Sequence, residues 1–593
     1  HDLWIAPEDN QRMIIADDGG GQVSFDGGEN WSTYHNQPTA QFYRVVTDDH
    51  FPYRIYGAQQ DNSTVRIAHR TDGGSIGERD WEPTAGGESA HLAIDPNNND
   101  IVFGGSYGGF LTRVNHETKQ RQAINVWPDN PMGYGAVGMR YRFQWNFPIF
   151  FSPHDPKKLY TTSNQVHMST NGGQSWELIS PDLTLNDTSF MQSSGGPITK
   201  DNTGVEYYCT IFAATESPYE KDLLWVGSDD GLVHISKNSG GNWENVTPKG
   251  MPEYMMINSI DPDPFTKGGA YVAGTRYKLG DYTPYLYKTK DYGKTWKLIT
   301  KGIDKEHFTR VVRADPERPG LLYAGTETGM YMSFDDGENW QSMQLNLPIV
   351  PITDLAIKND NLIAATQGRS FWMIDDLTVL HQLDSKVAKS NFNLFQPMPS
   401  YRMGGGGRFG RSSKTTGKNH PGGVMVHYYL QEKPADSVEV KLSFHTQSGE
   451  LIRAFSSKAK ERADKLEVKE NGNRFIWDMR YPAGKTFKGM IMWAGRLTGP
   501  RVVPGNYMVK LTIGDQTQEQ NFEILKDPRS ESSLEDMQAQ FDFLKDVVDK
   551  ASEAHQAIID IRDIRTQIKT YTDKLKDDDK MEDVMEKEKS ITK

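Results

Sequence analysis

Short apolar runs separated by Gly, Asp and Asn turns recur through the first 380 residues of the chain. Two representative pairs of runs are LLWVGSDDG followed by VHIS, and LLYAGTETG followed by MYMS. Apolar runs of about 4 to 8 residues divided by turn residues predict antiparallel hairpins. Each unit has the pattern of four short strands, and eight such units follow one another, which predicts a mainly β protein built from repeated sheets.

A short polar phrase marks the turn before the last strand of several units. The pattern Ser/Thr-x-Asp/Asn-x-Gly-x-x-Trp occurs at 24–31, 169–176, 236–243, 289–296 and 333–340. Its period of roughly 50 residues is that of a four-stranded propeller blade. The Asp or Asn side chain suits a turn that it caps itself, glycine supplies positive φ, and the Trp ring suits the space between blades. We therefore interpret the phrase as a structural fastener and not as a catalytic loop.

The phrase is the Asp-box, or bacterial neuraminidase repeat. Together with HDLWIAPEDNQRMIIADDGG, YRIYGAQQDNST and QGRSFWMIDDLTVL, it resembles a group of large secreted bacterial proteins with a sortilin-like propeller, often labelled glycosyl hydrolase. The resemblance implies an Asp-box β-propeller of seven or eight blade units over residues 1–384. It also implies a secreted, periplasmic or cell-surface location in a bacterium, and a longer parent chain, because several hundred propeller residues usually precede HDLW in that group.

The pattern changes three times after the propeller. Residues 385–421 are rich in Gly, Ser and basic residues and predict a linker. Residues 422–526 alternate apolar and polar positions and predict a β-sandwich similar to fibronectin or flagellar-hook-cap modules, with Trp477 as its core aromatic. Apolar residues in 527–593 recur every three or four positions, which predicts a helical hairpin or coiled coil.

Composition narrows the function classes. The net charge is −13 without a long basic block, so we expect no nucleic-acid partner. Cys209 is the only cysteine, which rules out an intrachain disulfide. No run of about 18 apolar residues occurs, so the sequence predicts no membrane-spanning segment.

The turns between the second and third strands of propeller blades converge at one face, where ligands bind. Carboxylates there are candidates for glycosidic chemistry, which needs a pair flanking the scissile bond. The candidate catalytic residues are Asp18, Asp61, Asp230 and Glu327. The candidate ligand-binding residues in these turns and neighbouring loops are Gln60, Asn62, Glu88, His91, Tyr107, Arg142, Trp145, Arg276 and Arg369. We expect no cofactor and no dedicated metal site, with Ca²⁺ held by turn carboxylates as an open alternative.

Three functions remain open at this point. The leading hypothesis is a binding protein that recognises a peptide, protein or polysaccharide at the propeller face. The second is a glycoside hydrolase using two carboxylates of the ring. The third is a structural subunit of a surface complex, held by the C-terminal sandwich and helices. A sialidase is rejected, because the Arg-Ile-Pro sequence that precedes the first sialidase Asp-box is missing, and His-Glu-x-x-His and Gly-x-Ser-x-Gly motifs do not occur.

Overall fold

The computed structural model describes residues 1–34, 37–130, 133–195, 202–203, 207–404, 415–493, 495–574 and 582–592. These residues form two compact units. The first unit contains His1–Leu377 and residues 415–420, and the second contains residues 378–404 and the chain from Pro421 onward.

Seven antiparallel sheets form the ring of a β-propeller in the first unit. Six have four strands and the seventh has three. Each pair of neighbouring blades around the ring is joined by contacts of an inner strand with a strand of the adjacent blade. From inner to outer strand, blades 1 to 4 are Val46–Thr47, Arg54–Gln59, Ser63–Ala68, Trp81–Pro83; Leu92–Asp95, Asn98–Ser106, Phe110–Asn115, Gln120–Ala123; Ile149–Phe151, Leu159–Thr162, Val166–Ser169, Glu177–Leu178; and Ile211–Glu216, Leu224–Ser228, Val233–Ser236, Glu244–Asn245. Blades 5 to 7 are Met256–Pro262, Ala270–Arg276, Asp281–Thr289, Lys297–Leu298; Thr309–Ala314, Leu322–Thr326, Gly329–Ser333, Gln341–Ser342; and Ile352–Lys358, Asn361–Thr366, Phe371–Ile374.

The ring closes between blade 7 and the segment that leads into blade 1. The Phe42 amide donates to the carbonyl of Thr366 (2.9 Å), and the Thr353 hydroxyl donates to the carbonyl of Phe42 (2.8 Å). Phe42 also stacks on Phe371 at 3.8 Å between ring centroids. The Tyr53 hydroxyl donates to Asn361 Oδ1 (2.8 Å). Seven blades therefore make a closed ring without residues 1–33.

The first of the eight predicted units stays outside this ring. It forms a separate three-stranded sheet, Asp2–Ile5, Met13–Asp17 and Gly20–Ser24. Its apolar side chains are not covered in the described structure, since Leu3 is 48% and Trp4 52% exposed. The expected seven or eight blade units thus divide into seven ring blades and one additional sheet.

The five Asp-boxes share one hydrogen-bonding scheme. In the box at 333–340, the Ser333 hydroxyl donates to Asp335 (2.8 Å) and accepts from the Gly337 amide (3.0 Å). Asp335 also accepts the amide of Asn339 (2.8 Å). Because every oxygen of the Asp carboxylate serves its own turn, the box has the structural role that the sequence predicted.

The tryptophan of a ring box ties its blade to the preceding one. The indole N–H donates to a backbone carbonyl just after the preceding blade's outer strand in all four ring boxes; the pairs are Trp176 to Ile124, Trp243 to Ile179, Trp296 to Val246 and Trp340 to Ile299, at 2.6–2.9 Å. Trp31 instead donates to Gly28 of its own box (3.0 Å). The box is therefore an inter-blade connector in the ring and a self-contained turn in the first sheet.

Two facing sheets form the sandwich of the second unit. The strands of the three-stranded sheet are, in sheet order, Phe392–Leu394, Val424–Leu430 and Asn471–Trp477. The strands of the five-stranded sheet are Ser400–Arg402, Gln516–Lys526, Gly505–Ile513, Val440–Thr446 and Leu451–Ser456. Trp477 is fully buried and stacks on Phe444 (4.3 Å between centroids), as expected for the core aromatic.

The predicted linker at 385–421 needs correction at its first half. Two sandwich strands lie within it, Phe392–Leu394 and Ser400–Arg402, and the side chains of Phe392 and Leu394 enter the sandwich core. Strand Gly417–Lys418 pairs with Ser75–Ile76 of the first unit. The Gly-rich stretch 405–414 lies outside the described residues.

Three α-helices complete the second unit: α1 (Thr378–Gln382), α2 (Leu534–Lys574) and α3 (Glu582–Thr592). Helices α2 and α3 contact each other, and the predicted return turn at 575–581 lies outside the described residues. No helix in the described part of the chain is both long and apolar enough to cross a membrane.

Candidate functional site

A cavity of about 300 Å³ opens among the inner strands and adjoining loops of the propeller. Blades 1, 4, 5, 6 and 7 and the loop before blade 3 all contribute to it, so it occupies the centre of the ring. The lining residues are Tyr43, Arg44, Gln144, Trp145, Asn146, Phe212, Met256, Asn258, Tyr277, Lys278, Arg310, Thr353 and Gln367.

Irregularities in the inner strands supply four of these residues. The register of the inner strand shifts between Ile211 and Ala213 in blade 4 and at the same place in blades 5, 6 and 7. The residues at the four shifts are Phe212, Asn258, Arg310 and Thr353, and each lines the cavity. A bulge re-aims a side chain that regular alternation would place elsewhere, so one device repeated around the ring builds the wall.

The charge of the cavity is positive. Arg44, Lys278 and Arg310 line it, and none of the described lining residues is an acid. Arg44 is only 5% exposed, donates from one terminal nitrogen to the carbonyl of Asn258 (3.1 Å), and lies 5.1 Å from the centroid of Phe212. Burial lowers the pKa of Arg44 to about 10; Asp354 opposes that shift and Arg313 and Arg310 add to it.

Several buried polar atoms around the cavity have no hydrogen-bond partner among the described residues. They are Arg44 Nε, Asn146 Oδ1 and His91 Nε2. Burial, and then the charges of Arg44 and Arg313, hold the pKa of His91 well below its usual value, so its imidazole is neutral. Leaving such groups unpaired costs about 1–3 kcal/mol each, which a ligand with complementary polar groups would relieve.

Aromatic pairs stand beside the cations. Trp145 stacks on Tyr107 at 5.3 Å between centroids with nearly parallel rings. Tyr277 stacks on Phe308 at 5.1 Å, and the guanidinium of Arg310 lies over both rings of that pair at 5.6 and 5.3 Å. The wall therefore offers flat apolar faces next to positive charge.

Two of the predicted carboxylates lie together, Asp61 in a turn of blade 1 and Glu88 in the connection from blade 1 to blade 2. The amide nitrogen of the Gln60 side chain donates to Asp61 Oδ1 (3.0 Å) and to Glu88 Oε2 (3.2 Å), and the Asp61 backbone amide also donates to Glu88 (3.0 Å). Gln60 accepts the hydroxyl of Tyr43, a cavity residue. Burial, and to a smaller extent Asp61, raise the pKa of Glu88.

The other three predicted catalytic carboxylates are separate. Asp18 lies in the first sheet, outside the ring, and bonds His1 (2.7 Å). Asp230 is buried, accepts the Ser228 hydroxyl (2.5 Å) and the Leu185 amide (2.8 Å), and has its pKa raised by burial. Glu327 accepts from Arg310 (2.6 Å). Only Glu327 therefore reaches the cavity wall, through its ion pair.

The remaining candidates for ligand binding differ in placement. Arg142 is buried and is used between blades 3 and 4, where it donates to the Cys209 carbonyl (3.1 Å) and to Asp182 (2.7 Å). Arg276 is paired with Asp281 (2.8 Å). Asn62 and Arg369 are exposed turn residues. Trp145 lines the cavity directly, whereas Tyr107 and Gln60 reach it through one neighbour each.

The inner-strand residues of the cavity are not among the candidates predicted from the sequence. Those candidates lie mostly in the turns between second and third strands, whereas Arg44, Asn258 and Arg310 lie near the start of the first strand of their blades. Aligning the units on that strand shows a large polar or aromatic residue at one position in TIFAA, MINSI, FTRVV and PITDL. This recurring position could have identified the cavity residues from the sequence; its members are Phe212, Asn258, Arg310 and Thr353.

Residues 22–33 match the BNR/Asp-box repeat family. A curated relative, the probable oligoxyloglucan-reducing end-specific xyloglucanase of Neosartorya fischeri, is 20% identical over 397 residues, 58% of this chain and 45% of that protein. The oligoxyloglucan-reducing end-specific xyloglucanase of Emericella nidulans is 26% identical over 109 residues, 17% of this chain and 13% of that protein. The chain thus spans less than half the length of these relatives.

Solved structures resemble the chain at lower identity. The GH74 xyloglucanase of Xanthomonas campestris is 13% identical with a TM-score of 0.41, covering 81% of this chain and 74% of its own. YCF48 of Cyanidioschyzon merolae is 11% identical with a TM-score of 0.38, covering 56% of this chain and 94% of its own. The repeat match, the closed ring of sheets and the five boxes of the chain, four of them in the ring, identify a BNR-repeat β-propeller protein.

Proposed function

We propose that this protein is a glycan-binding protein whose propeller cavity receives a carboxylate-bearing sugar. One observation carries the proposal: three cations and no described acid line the cavity, and one of the cations, Arg44, is buried with a nitrogen that has no partner. This arrangement supports ligand binding more directly than it supports hydrolysis, because the described lining offers no carboxyl for proton transfer at the glycosidic oxygen.

The energetic cost of burying the Arg44 guanidinium favours an anionic ligand. A buried guanidinium loses its hydration and recovers it only through hydrogen bonds or an opposite charge. Arg44 has one donated bond, to a neutral carbonyl. A ligand carboxylate would add a charge-assisted hydrogen bond, worth about 1.5–3 kcal/mol. Lys278 and Arg310 would extend the positive field over the rest of the group.

The aromatic pairs favour a sugar as the carrier of that carboxylate. Tyr107 with Trp145, and Tyr277 with Phe308, offer flat faces beside the charges. The curated relatives are named as xyloglucanases, which supports a polysaccharide over a peptide for this chain. The proposal includes the location that the resemblance implies, in the periplasm or at the surface of a bacterial cell, where such polymers occur.

Calorimetric titration with an oligogalacturonate and with a neutral xyloglucan oligosaccharide tests the proposal. We expect the acidic oligosaccharide to bind and Lys278→Met to weaken it by about tenfold, the loss of roughly 1.4 kcal/mol of ionic interaction. Lys301→Met is the matched control, because Lys301 is an exposed lysine on the loop after blade 5, away from the cavity. Equal binding of the neutral sugar, or equal weakening by both variants, contradicts the proposal.

A glycoside hydrolase is the second candidate, and the Asp61–Glu88 pair is the observation that favours it. A carboxyl with a raised pKa close to a second carboxyl is the arrangement that acid–base hydrolysis uses, and Gln60 connects this pair to the cavity wall through Tyr43. Released reducing ends distinguish the candidates. Turnover that Glu88→Gln and Asp61→Asn both abolish, with binding retained, would establish the hydrolase and limit the binding role to substrate capture.

A further inference from the structure

Helix α2 carries a second apolar face that is largely exposed in the described structure. Nine positions follow one another at alternating steps of four and three residues; they are Phe543, Val547, Lys550, Ala554, Ala557, Ile561, Ile564, Ile568 and Tyr571, named here the α2 seam. Eight of the nine are apolar. In heptad letters Val547, Ala554, Ile561 and Ile568 occupy a, and the other five occupy d. An a/d repeat sustained over four heptads is the pattern of a coiled coil.

The side chains of the seam are accessible. Phe543 is 68%, Ile561 57%, Ile564 53% and Tyr571 67% exposed, and these values already include the contact of α3 with α2. The seam is about 42 Å long, from 28 steps of 1.5 Å. The exposure of so many large side chains along one line marks an interaction surface and not a scatter of single residues.

The opposite face of α2 makes the contacts with its own unit. Phe541 packs on Tyr481 (5.2 Å between centroids), and Ser552 accepts the Lys485 amide (3.1 Å). His555 bonds the Lys485 carbonyl (2.6 Å), and Arg562 donates to the Lys488 carbonyl (2.7 Å). These α2 residues occupy heptad positions b and f, so attachment to the unit leaves a and d free.

We propose that the α2 seam binds the α2 seam of a second copy of this chain, in a parallel two-stranded coiled coil. The 3.5-residue period matches a helix as the partner, and β-branched residues at a (Val547, Ile561, Ile568) are those that parallel coiled coils use at this position. The single charged position, Lys550, forms an ion pair with Glu553 of its own helix (2.7 Å) and lies where a long side chain extends to the edge of the seam.

Charges beside the seam decide the orientation. The g positions are Asp546, Glu553, Asp560 and Gln567. In a parallel pair, Asp560 at g faces the oppositely charged Arg565 at the following e position of the partner helix. Glu553 and Asp546 at g face the uncharged e residues Ile558 and Ala551, so no like charges meet. In an antiparallel pair g faces g, which sets acids against acids. The parallel arrangement is therefore the one that these charges support.

Sedimentation equilibrium of the intact chain over a concentration series tests self-association. We expect a dimer, and we expect Ile561→Glu with Ile564→Glu to raise its dissociation constant by about a hundredfold or more, since each places a charge in the core of the seam. The control is Thr566→Glu with Thr570→Glu, which adds the same two charges to exposed f and c positions. Circular dichroism confirms the helix content of both variants. A monomer at every concentration, or a dimer unaffected by the seam variant, overturns the proposal.

Single cysteines report the orientation. The native Cys209 is buried, and burial raises the pKa of its thiol to about 12, so it stays unreactive. A parallel pair predicts disulfide dimers of Phe543→Cys alone and of Tyr571→Cys alone under mild oxidation. An antiparallel pair, which would overturn the parallel assignment, gives a disulfide dimer only when the two variants are mixed. As a further check, Asp560→Arg weakens the dimer and Arg565→Asp in the same chain restores it.

Discussion

Replacement of Trp340 by Phe tests whether the Asp-box joins blades or only shapes its own turn. Trp340 is 5% exposed and its indole donates to the Ile299 carbonyl of the preceding blade (2.6 Å). The variant leaves that buried carbonyl without its donor, at a cost of about 1–3 kcal/mol. It also removes the second ring of the side chain, and the resulting cavity costs about 1–2 kcal/mol more. We expect the free energy of unfolding of the propeller to fall by about 3 kcal/mol.

Trp31→Phe is the matched control for this experiment. Trp31 is 36% exposed and bonds only Gly28 of its own box, so the same substitution should cost less than about 1 kcal/mol. Guanidinium unfolding followed by far-UV circular dichroism measures both values. Hydrogen exchange of the Lys297–Leu298 strand reports the local effect, and it should rise only in Trp340→Phe. Equal losses in the two variants would refute the inter-blade role and leave the box as a local turn.

Three further outcomes follow from buried groups. Burial, and then Asp230, raise the pKa of Asp229 to about 7. The neutral carboxyl therefore stabilises the fold fully below about pH 4, and this stabilisation is lost as the pH rises through 7. Between pH 4 and 8, we expect the Asp229→Asn variant to have a higher unfolding temperature than the wild type. Arg44→Met should abolish binding of the acidic sugar. It should leave the unfolding temperature unchanged or raise it, because a buried cation without an ionic partner is costly. Calorimetry measures both binding and the unfolding temperature. Gly337→Ala should destabilise the protein by about 1–3 kcal/mol more than Gly28→Ala, as measured in denaturant titrations. Both glycines have positive φ, but only the methyl group added at position 337 would meet the preceding blade, 2.6 Å from a side-chain carbon of Ile299.

The repeated elements were readable from the sequence because their chemistry is local. The box turn depends on residues within eight positions of each other, so its hydrogen bonds at 333–340 could be predicted before any fold was known. Ring closure could not, since it joins Phe42 to Thr366 across most of the propeller. The first of the eight units, at residues 1–33, has the same local pattern as the others, and only this closure shows that it lies outside the ring.

The residues of the candidate site likewise divide into those that could be predicted from the sequence and those that could not. Asp230 and Arg142 were chosen as polar residues near the propeller face, but their side chains satisfy buried groups in neighbouring loops. Burial decides whether a polar side chain serves the fold or a ligand, and turn patterns do not reveal burial. Asn258 and Arg310 reach the cavity through strand irregularities, which depend on pairing with the second strand and have no signal within one unit.

The way in which the ring closes has a mechanical consequence. Each blade is made from one continuous stretch of chain, and the last is joined to the first by a few bonds around Phe42 and Thr353 and not by strands shared within one sheet. Tension applied between residues 40 and 377 would load those bonds and the ladder of the Phe371–Ile374 strand, while the ladders of blades 1 to 6 would stay unstressed. Under force the propeller should open at this one junction into a curved array of intact blades, and a crosslink between the segments at 40–42 and 366–370 should suppress that opening in a single-molecule pulling experiment.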